Sequence, residues 1–181
     1  RIAAVTLTGS VRAGAAVAAT AGSVIKKTVL ELGGSDAYVV MPSADLDRAV
    51  EVAVTARLQN SGQSCIAAKR FIVHRDVHDE FLTRFTDQMA AATTGDPHDP
   101  DVTYGPMSSQ RLRDELADQV DDARAKGATI ATGGVRPDGP GAFYPATVIT
   151  DITPDMRVHT EECFGPVACL YRVDDLDEAI T

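Results

Sequence analysis

The chain is short of cations. Its 181 residues carry 17 Lys and Arg against 26 Asp and Glu, a formal net charge of −9, whereas nucleic acids and anionic membranes are bound by clustered positive charge. Neither partner is expected, and the balance leaves small-molecule substrates open. No run approaches the roughly 20 apolar residues that span a bilayer, although 44% of the residues are hydrophobic. That combination reads as a soluble globular protein with no membrane partner. Cysteine is scarce too: Cys65, Cys163 and Cys169 are an odd number without framework spacing, which fits a reducing cytoplasm rather than a disulfide scaffold. His74, His78, His98 and His159 are scattered without ligand spacing, so no metal is expected. Repeats and low-complexity tracts are absent. The opening residues, Arg1 to Leu7, read as a strand already under way, with neither an initiator Met nor a signal-peptide layout, and the chain is expected to begin inside a domain.

Strand and helix patterns alternate along the chain. Val5 to Leu7 is apolar and β-prone, Thr8-Gly9-Ser10 turns the chain, and Ala13 to Ala21 is helix-compatible; strands follow at Thr28 to Leu32 and Ala37 to Met41. Asp45 or Ser43 caps a helix running to about Gln59, in which Leu46, Ala49, Val50, Ala53, Val54 and Leu58 recur at helical spacing. Phe71 to Val73 is a strand. The helix from Val77 to Ala92 places Phe81, Leu82, Phe85 and Met89 on one face, and Leu112 to Ala125 forms another after a turn-rich loop. Short strands at Thr129 to Ala131, Thr147 to Ile149 and Ala168 to Val173 precede a helix opening at Leu176. Such alternation predicts an α/β fold with a mainly parallel sheet. The acidic residues Asp114, Glu115, Asp118, Asp121 and Asp122 read as a solvated helix face.

Four short stretches could carry chemistry. Glu31-Leu32-Gly33-Gly34 closes an apolar strand with a carboxylate, and Asn60-Ser61-Gly62-Gln63-Ser64-Cys65 places a thiol among small residues. A thiolate attacks a carbonyl readily, and releasing the resulting adduct with water needs a base; Glu31 can be that base and Cys65 that nucleophile. Each also has a plain alternative, a strand-to-loop turn for Glu31 and inert packing for Cys65. The Thr8-Gly9-Ser10 turn can hold a phosphate at a helix N-terminus, or Ser10 can simply cap the helix. In Glu161-Glu162-Cys163-Phe164-Gly165-Pro166-Val167 a carboxylate can accept from a sugar diol while Phe164 packs on an apolar ligand face; alternatively this is a loop with Phe164 in the core. Cys163 and Cys169 lie in or beside apolar segments and read as packing residues.

Ordered as TGS, ELGG, GQSC and EECFGPV, with 34 residues from Glu31 to Cys65 and 97 from Cys65 to Glu162, these stretches together resemble the aldehyde dehydrogenase superfamily over essentially the whole chain. The flanking residues Leu30 to Asp36, Gln63 to Arg70 and Val148 to Met156 look most like bacterial succinate-semialdehyde dehydrogenases. The resemblance implies the end of a dinucleotide-binding domain over 1–33 and a truncated α/β catalytic domain over 34–181. It implies NAD or NADP as cofactor, a small-molecule aldehyde as substrate and a homo-oligomer for the full-length protein. Position by position, Cys65 would form a thiohemiacetal and then a thioester, and Glu31 would activate the hydrolytic water. The Cys65 backbone N–H would meet the oxyanion. Leu32 would offer its carbonyl to the nicotinamide carboxamide, with Gly33 permitting close approach of the ring. Glu162 would hold the ribose hydroxyls with Phe164 beside it, and Gly9 and Ser10 would sit at the pyrophosphate.

Departures from the family pattern set further expectations. The oxyanion asparagine and most of the dinucleotide-binding sheet are expected to precede Arg1, so these residues alone should not turn over substrate. Leu7 stands where many members have Phe. Some succinate-semialdehyde dehydrogenases place an arginine six residues before the nucleophile to pair with the distal carboxylate; here that position is Gln59, and Arg57 is offset by two residues on a helix. A coenzyme-A-acylating relative would not need Glu31, and a non-catalytic relative would lose the thiol or the base. Retention of both favours hydrolytic aldehyde oxidation.

Overall fold

A computed structural model describes residues 2–181. The chain divides into two compact units, one ending at Gly34 and one from Ser35 to Thr181. The first is a β–α–β element: β1 (Ala4–Thr8), α1 (Val11–Ser23) and β2 (Lys27–Glu31), with the two strands parallel and Leu7 opposite Leu30. Helix α1 closes tightly on the chain leaving β2, because a Cβ at Gly14 would stand 2.6 Å from a Leu32 methyl. Only glycine lets Leu32 lie there.

The second unit holds β3 (Asp36–Val40), α2 (Leu46–Leu58), β4 (Ala68–His74), α3 (Arg75–Ala91), α4 (Gln110–Ala125), β5 (Thr129–Thr132), β6 (Thr147–Thr150), α5 (Arg157–Thr160), β7 (Val167–Val173) and α6 (Leu176–Ile180). Its sheet runs β3-β4-β7-β6-β5, with the first four strands parallel and β5 antiparallel to β6. The expected α/β class and mainly parallel sheet are both present. Strand residues alternate between the two faces, as period-2 side chains must. Phe71, Val73, Ala168 and Leu170 join α2 and α3 in one core cluster, while Val167 and Cys169 join α4 in another. Helices thus cover both faces, the usual condition of a parallel sheet.

The helical stripe expected on α2 is the buried one: Val50, Ala53 and Leu58 are core residues, with Leu46, Ala49 and Val54 packed against them. On α3, Phe81, Phe85 and Met89 are fully buried, and Phe85 lies 4.8 Å from the Phe71 ring. Each such side chain contributes about 1.5–3 kcal/mol by leaving water. Asp45 rather than Ser43 caps α2, accepting from Arg48 N at 3.2 Å. The acidic face of α4 is laced with cations: Asp114 pairs with Arg113 and Arg136, Asp121 with Arg124, and Asp122 with Lys126. Asp122 also accepts from Arg157 N at 2.9 Å, holding the start of α5, a short helix that no sequence periodicity announced. Among the described residues no helix is long and apolar enough to cross a membrane.

Candidate active site

Strands β4 and β7 are parallel neighbours, with Arg70 opposite Cys169. The segments that enter them, 62–67 and 161–166, therefore meet at the N-terminal ends of these strands, although 97 residues separate Cys65 from Glu162. Contact between the segments is close. Gly62 has φ +73°, and a Cβ there would collide with the carbonyl group of Gly165. Glycine is required twice at this position, by the left-handed backbone and by the approach.

The turn before Gly62 is strained. Asn60 and Ser61 also adopt left-handed angles, φ 51° and 56°, which cost L-residues roughly 1–2 kcal/mol each. Their side chains stabilise the conformation: Ser61 Oγ donates to Gly105 O at 2.9 Å, and Asn60 Nδ2 donates to Gln63 O at 2.9 Å. Gln63 Oε1 in turn accepts from the backbone N–H and the hydroxyl of Ser108, at 3.1 and 3.0 Å. Local strain held by surrounding contacts is a mark of functional loops. At the end of this loop Cys65 is exposed, while Cys163 and Cys169 are buried. The two buried thiols are packing residues, and a hydrogen bond with Cys163, together with burial, pushes the Cys169 thiol up.

Two buried cations lie beneath the loop, and the sequence drew attention to neither in this role. Lys69 is 2% exposed. Its Nζ donates to the carbonyls of Ser64, Cys65 and Ala67 at 3.0, 3.1 and 3.2 Å and lies 3.3 Å from Glu162 Oε1. Burial holds this ammonium below its ordinary value, with the Glu162 charge opposing the shift. Arg57, fully buried, donates to Gly62 O at 2.5 Å, and its Nε and Nη1 have no partner. Burial lowers this guanidinium to about 10, against the pull of Cys163, Cys169 and Glu162. Arg57 is thus bound to the loop backbone and out of solvent, whereas Gln59 is exposed. A cavity of about 590 Å³ beside the turn is lined by Gln59, Asn60, Ser61 and Tyr104 among others, and among the described residues its lining carries no cation.

The adjacent glutamates, indistinguishable by residue type, have different surroundings. Glu161 is engaged by Arg157 through Nε and Nη2, each at 2.9 Å, and by Gln119 Nε2 at 3.0 Å; these partners hold its carboxyl below the usual range. Among the described residues the Glu162 side chain is paired with the Lys69 ammonium alone, and its buried Oε1 accepts no aligned hydrogen bond. Its side chain is 24% exposed, which leaves it able to accept from a ligand diol. Phe164 is half-buried rather than a core residue.

The first unit holds the remaining sequence-identified residues. Glu31 is exposed at the end of β2, followed by half-buried Leu32 and Gly33. Ser10 caps α1, accepting from Ala13 N at 3.2 Å. The Gly9 N–H donates to Glu31 O at 2.9 Å, so this amide is engaged within the unit and ties the turn to the backbone of Glu31.

An exposed thiol thus sits on a strained loop that packs against the segment carrying Glu162. The aldehyde dehydrogenase family model matches residues 1–181, and the chain belongs to that family. It is 64% identical over 180 residues to a succinate-semialdehyde dehydrogenase (NADP+) of Mycobacterium avium, covering 99% of this chain and 38% of that protein. Against succinate-semialdehyde dehydrogenase (NADP+) 1 of Mycobacterium tuberculosis the identity is 61%, covering 99% and 39%. Among solved structures, lactaldehyde dehydrogenase from Escherichia coli matches with a TM-score of 0.96 at 39% identity, over 99% of this chain and 38% of that one. Gox0499 matches with a TM-score of 0.95 at 48% identity, over 99% and 40%. The chain spans about two fifths of the length of the curated relatives it matches.

Proposed function

We propose that the full-length protein oxidises succinate semialdehyde to succinate with NADP as acceptor, and that this chain carries its nucleophile, its hydrolytic base and its nicotinamide-ribose carboxylate. In this reading residues 1–33 end a dinucleotide-binding domain, 34–181 belong to the catalytic domain, and the full-length enzyme is a cytoplasmic homo-oligomer. The observation that carries it is Cys65, the exposed thiol of the three, on a loop whose backbone is held by buried side chains. The relatives at 61–64% identity, named for succinate semialdehyde and NADP+, support the substrate and the choice of NADP.

The Cys65 thiolate adds to the aldehyde carbon, forming a C–S bond and an alkoxide on the former carbonyl oxygen. The Cys65 N–H is the donor that this alkoxide meets. When bound, the dinucleotide supplies the two-electron acceptor for the hydride that leaves the same carbon. Glu162 binds the ribose hydroxyls, for which a carboxylate with a buried, cation-supported oxygen is suited, and Phe164 packs beside them. Glu31 then takes a proton from water as that water attacks the Cys65 thioester, and the acid departs as the C–S bond breaks. Retention of Glu31 argues against release to coenzyme A, and retention of both groups argues against a non-catalytic relative. Activity is expected of the full-length protein and not of these 181 residues alone.

The test is reduced-cofactor formation by the full-length protein, given succinate semialdehyde and several uncharged aldehydes with NADP and NAD in turn. Selective use of succinate semialdehyde with NADP, lost in Cys65→Ala, is the expected result. Turnover of uncharged aldehydes alone would remove the substrate assignment, and full activity in Cys65→Ala would remove the mechanism.

A further inference from the structure

The backbone around Cys65 directs four carbonyl groups onto two buried cations. Gly62 O accepts from Arg57 Nη2 at 2.5 Å, and the carbonyls of Ser64, Cys65 and Ala67 accept from Lys69 Nζ at 3.0–3.2 Å. An ammonium carries three protons, and three carbonyls lie within hydrogen-bond distance of this one. Glu162 Oε1 lies 3.3 Å from the same nitrogen and pairs with it by charge. Lys69 therefore touches both the loop of the thiol and the carboxylate of the second segment.

A trans peptide holds its C=O and N–H antiparallel in one plane, and there is no cis peptide bond among the described residues. Holding the Ser64 carbonyl on Lys69 therefore points the Cys65 N–H in the opposite direction. Ser64 O also accepts from Ala67 N at 3.2 Å, which reinforces the same orientation. The Cys65 carbonyl, held on the same ammonium, orients the Ile66 N–H in its turn, and both Cys65 and Ile66 are exposed. We propose that Lys69 is a positioning residue for aldehyde oxidation: through the Ser64 carbonyl it fixes the Ser64–Cys65 peptide so that the Cys65 N–H faces the oxyanion formed when the thiolate adds to the aldehyde. This rests on Cys65 being the nucleophile. In that addition the C–S bond forms and the carbonyl π pair moves to oxygen. The pair returns when hydride leaves the same carbon for the oxidised nicotinamide dinucleotide, giving the thioester.

The test uses full-length Lys69→Met and two rates. Burst formation of reduced dinucleotide at saturating aldehyde reports the step that builds an oxyanion. Alkylation of Cys65 by iodoacetamide displaces iodide in one step and builds none. Loss of one oriented oxyanion donor predicts a burst slowed about 10²-fold while alkylation stays within about threefold. Lys69→Gln, which keeps two donors without the charge, should lose less. An unchanged burst overturns the proposal, and so does an equal fall in both rates, since that is what a collapsed loop produces. If Lys69→Met does not fold, Lys69→Gln is held to the same criterion; if neither folds, Lys69 is structural and the proposal falls. Cys65→Ala that still forms reduced dinucleotide would instead strike the reading of Cys65 itself.

Discussion

Replacing Gly62 by alanine puts a methyl group against the carbonyl of Gly165, and the cost divides into two parts. The first is conformational: at φ +73° a Cβ costs about 1–2 kcal/mol, partly offset by about 0.4–1 kcal/mol because alanine restricts the unfolded chain. The second is steric. Overfilling a packed site usually costs about 1–3 kcal/mol, and here the upper end applies, because the obstacles are backbone atoms of Gly165 and Pro166 that have no rotamer to change. Together these give about 3–4 kcal/mol. Gly127 is the control: its φ is +99° and nothing lies within 4 Å of an added Cβ, so Gly127→Ala should cost only the conformational part, about 1.5 kcal/mol at most. Urea unfolding of the full-length variants, compared at constant m-value, measures both. Equal costs at the two positions would refute the close approach of the Cys65 loop to the Glu162 segment.

Three further outcomes follow from the same geometry. Glu31→Gln should leave the burst of reduced dinucleotide intact while slowing steady-state turnover by about 10²- to 10⁴-fold, the size of a general-base contribution; an unchanged steady state removes Glu31 from hydrolysis. Cys163→Ala should lower stability by roughly 1 kcal/mol, as large-to-small changes in a core do, with turnover per folded molecule unchanged; inactivity of the folded variant would move the nucleophile from Cys65. The alkaline limit of stability should be set by buried phenols. Burial raises Tyr104 to about 12 and also raises Tyr144 and Tyr171, so between the ordinary value near 10 and the folded value the native state holds more protons than the unfolded one, and stability falls as pH rises. Arg57, lowered to about 10, and Lys69, also lowered by burial, act with the opposite sign but are two groups against the three phenols and the raised Cys169 thiol. The melting temperature, followed by calorimetry, should fall above about pH 10, and less steeply in Tyr104→Phe; a rise there would contradict the burial of these rings.

Much of the second unit was legible from local pattern. The apolar spacing of α2 and α3 reflects which side of a helix meets a sheet, and that depends only on residues three and four apart. The boundaries of α5 were not, because its start is held by Asp122, 35 residues earlier in the chain. At the site, residue type pointed to Cys65 and to the glutamate pair, since few side chains attack carbonyls or accept from diols. It also read Cys163 and Cys169 as packing residues, and both are buried, but it could not say which glutamate is already engaged.

The sequence by itself determined the helical stripes, the α/β alternation and the residues capable of covalent chemistry, because these depend on side-chain identity and short-range spacing. Only the tertiary structure decided that Glu161 is held by Arg157 and Gln119 while Glu162 faces Lys69. Only it placed Lys69 and Arg57 beneath the thiol's loop. A lysine in sequence reads as a solvated charge; pairing β4 with β7 brings distant segments together and buries this one, and a buried ammonium must then take its partners from the backbone carbonyls around it.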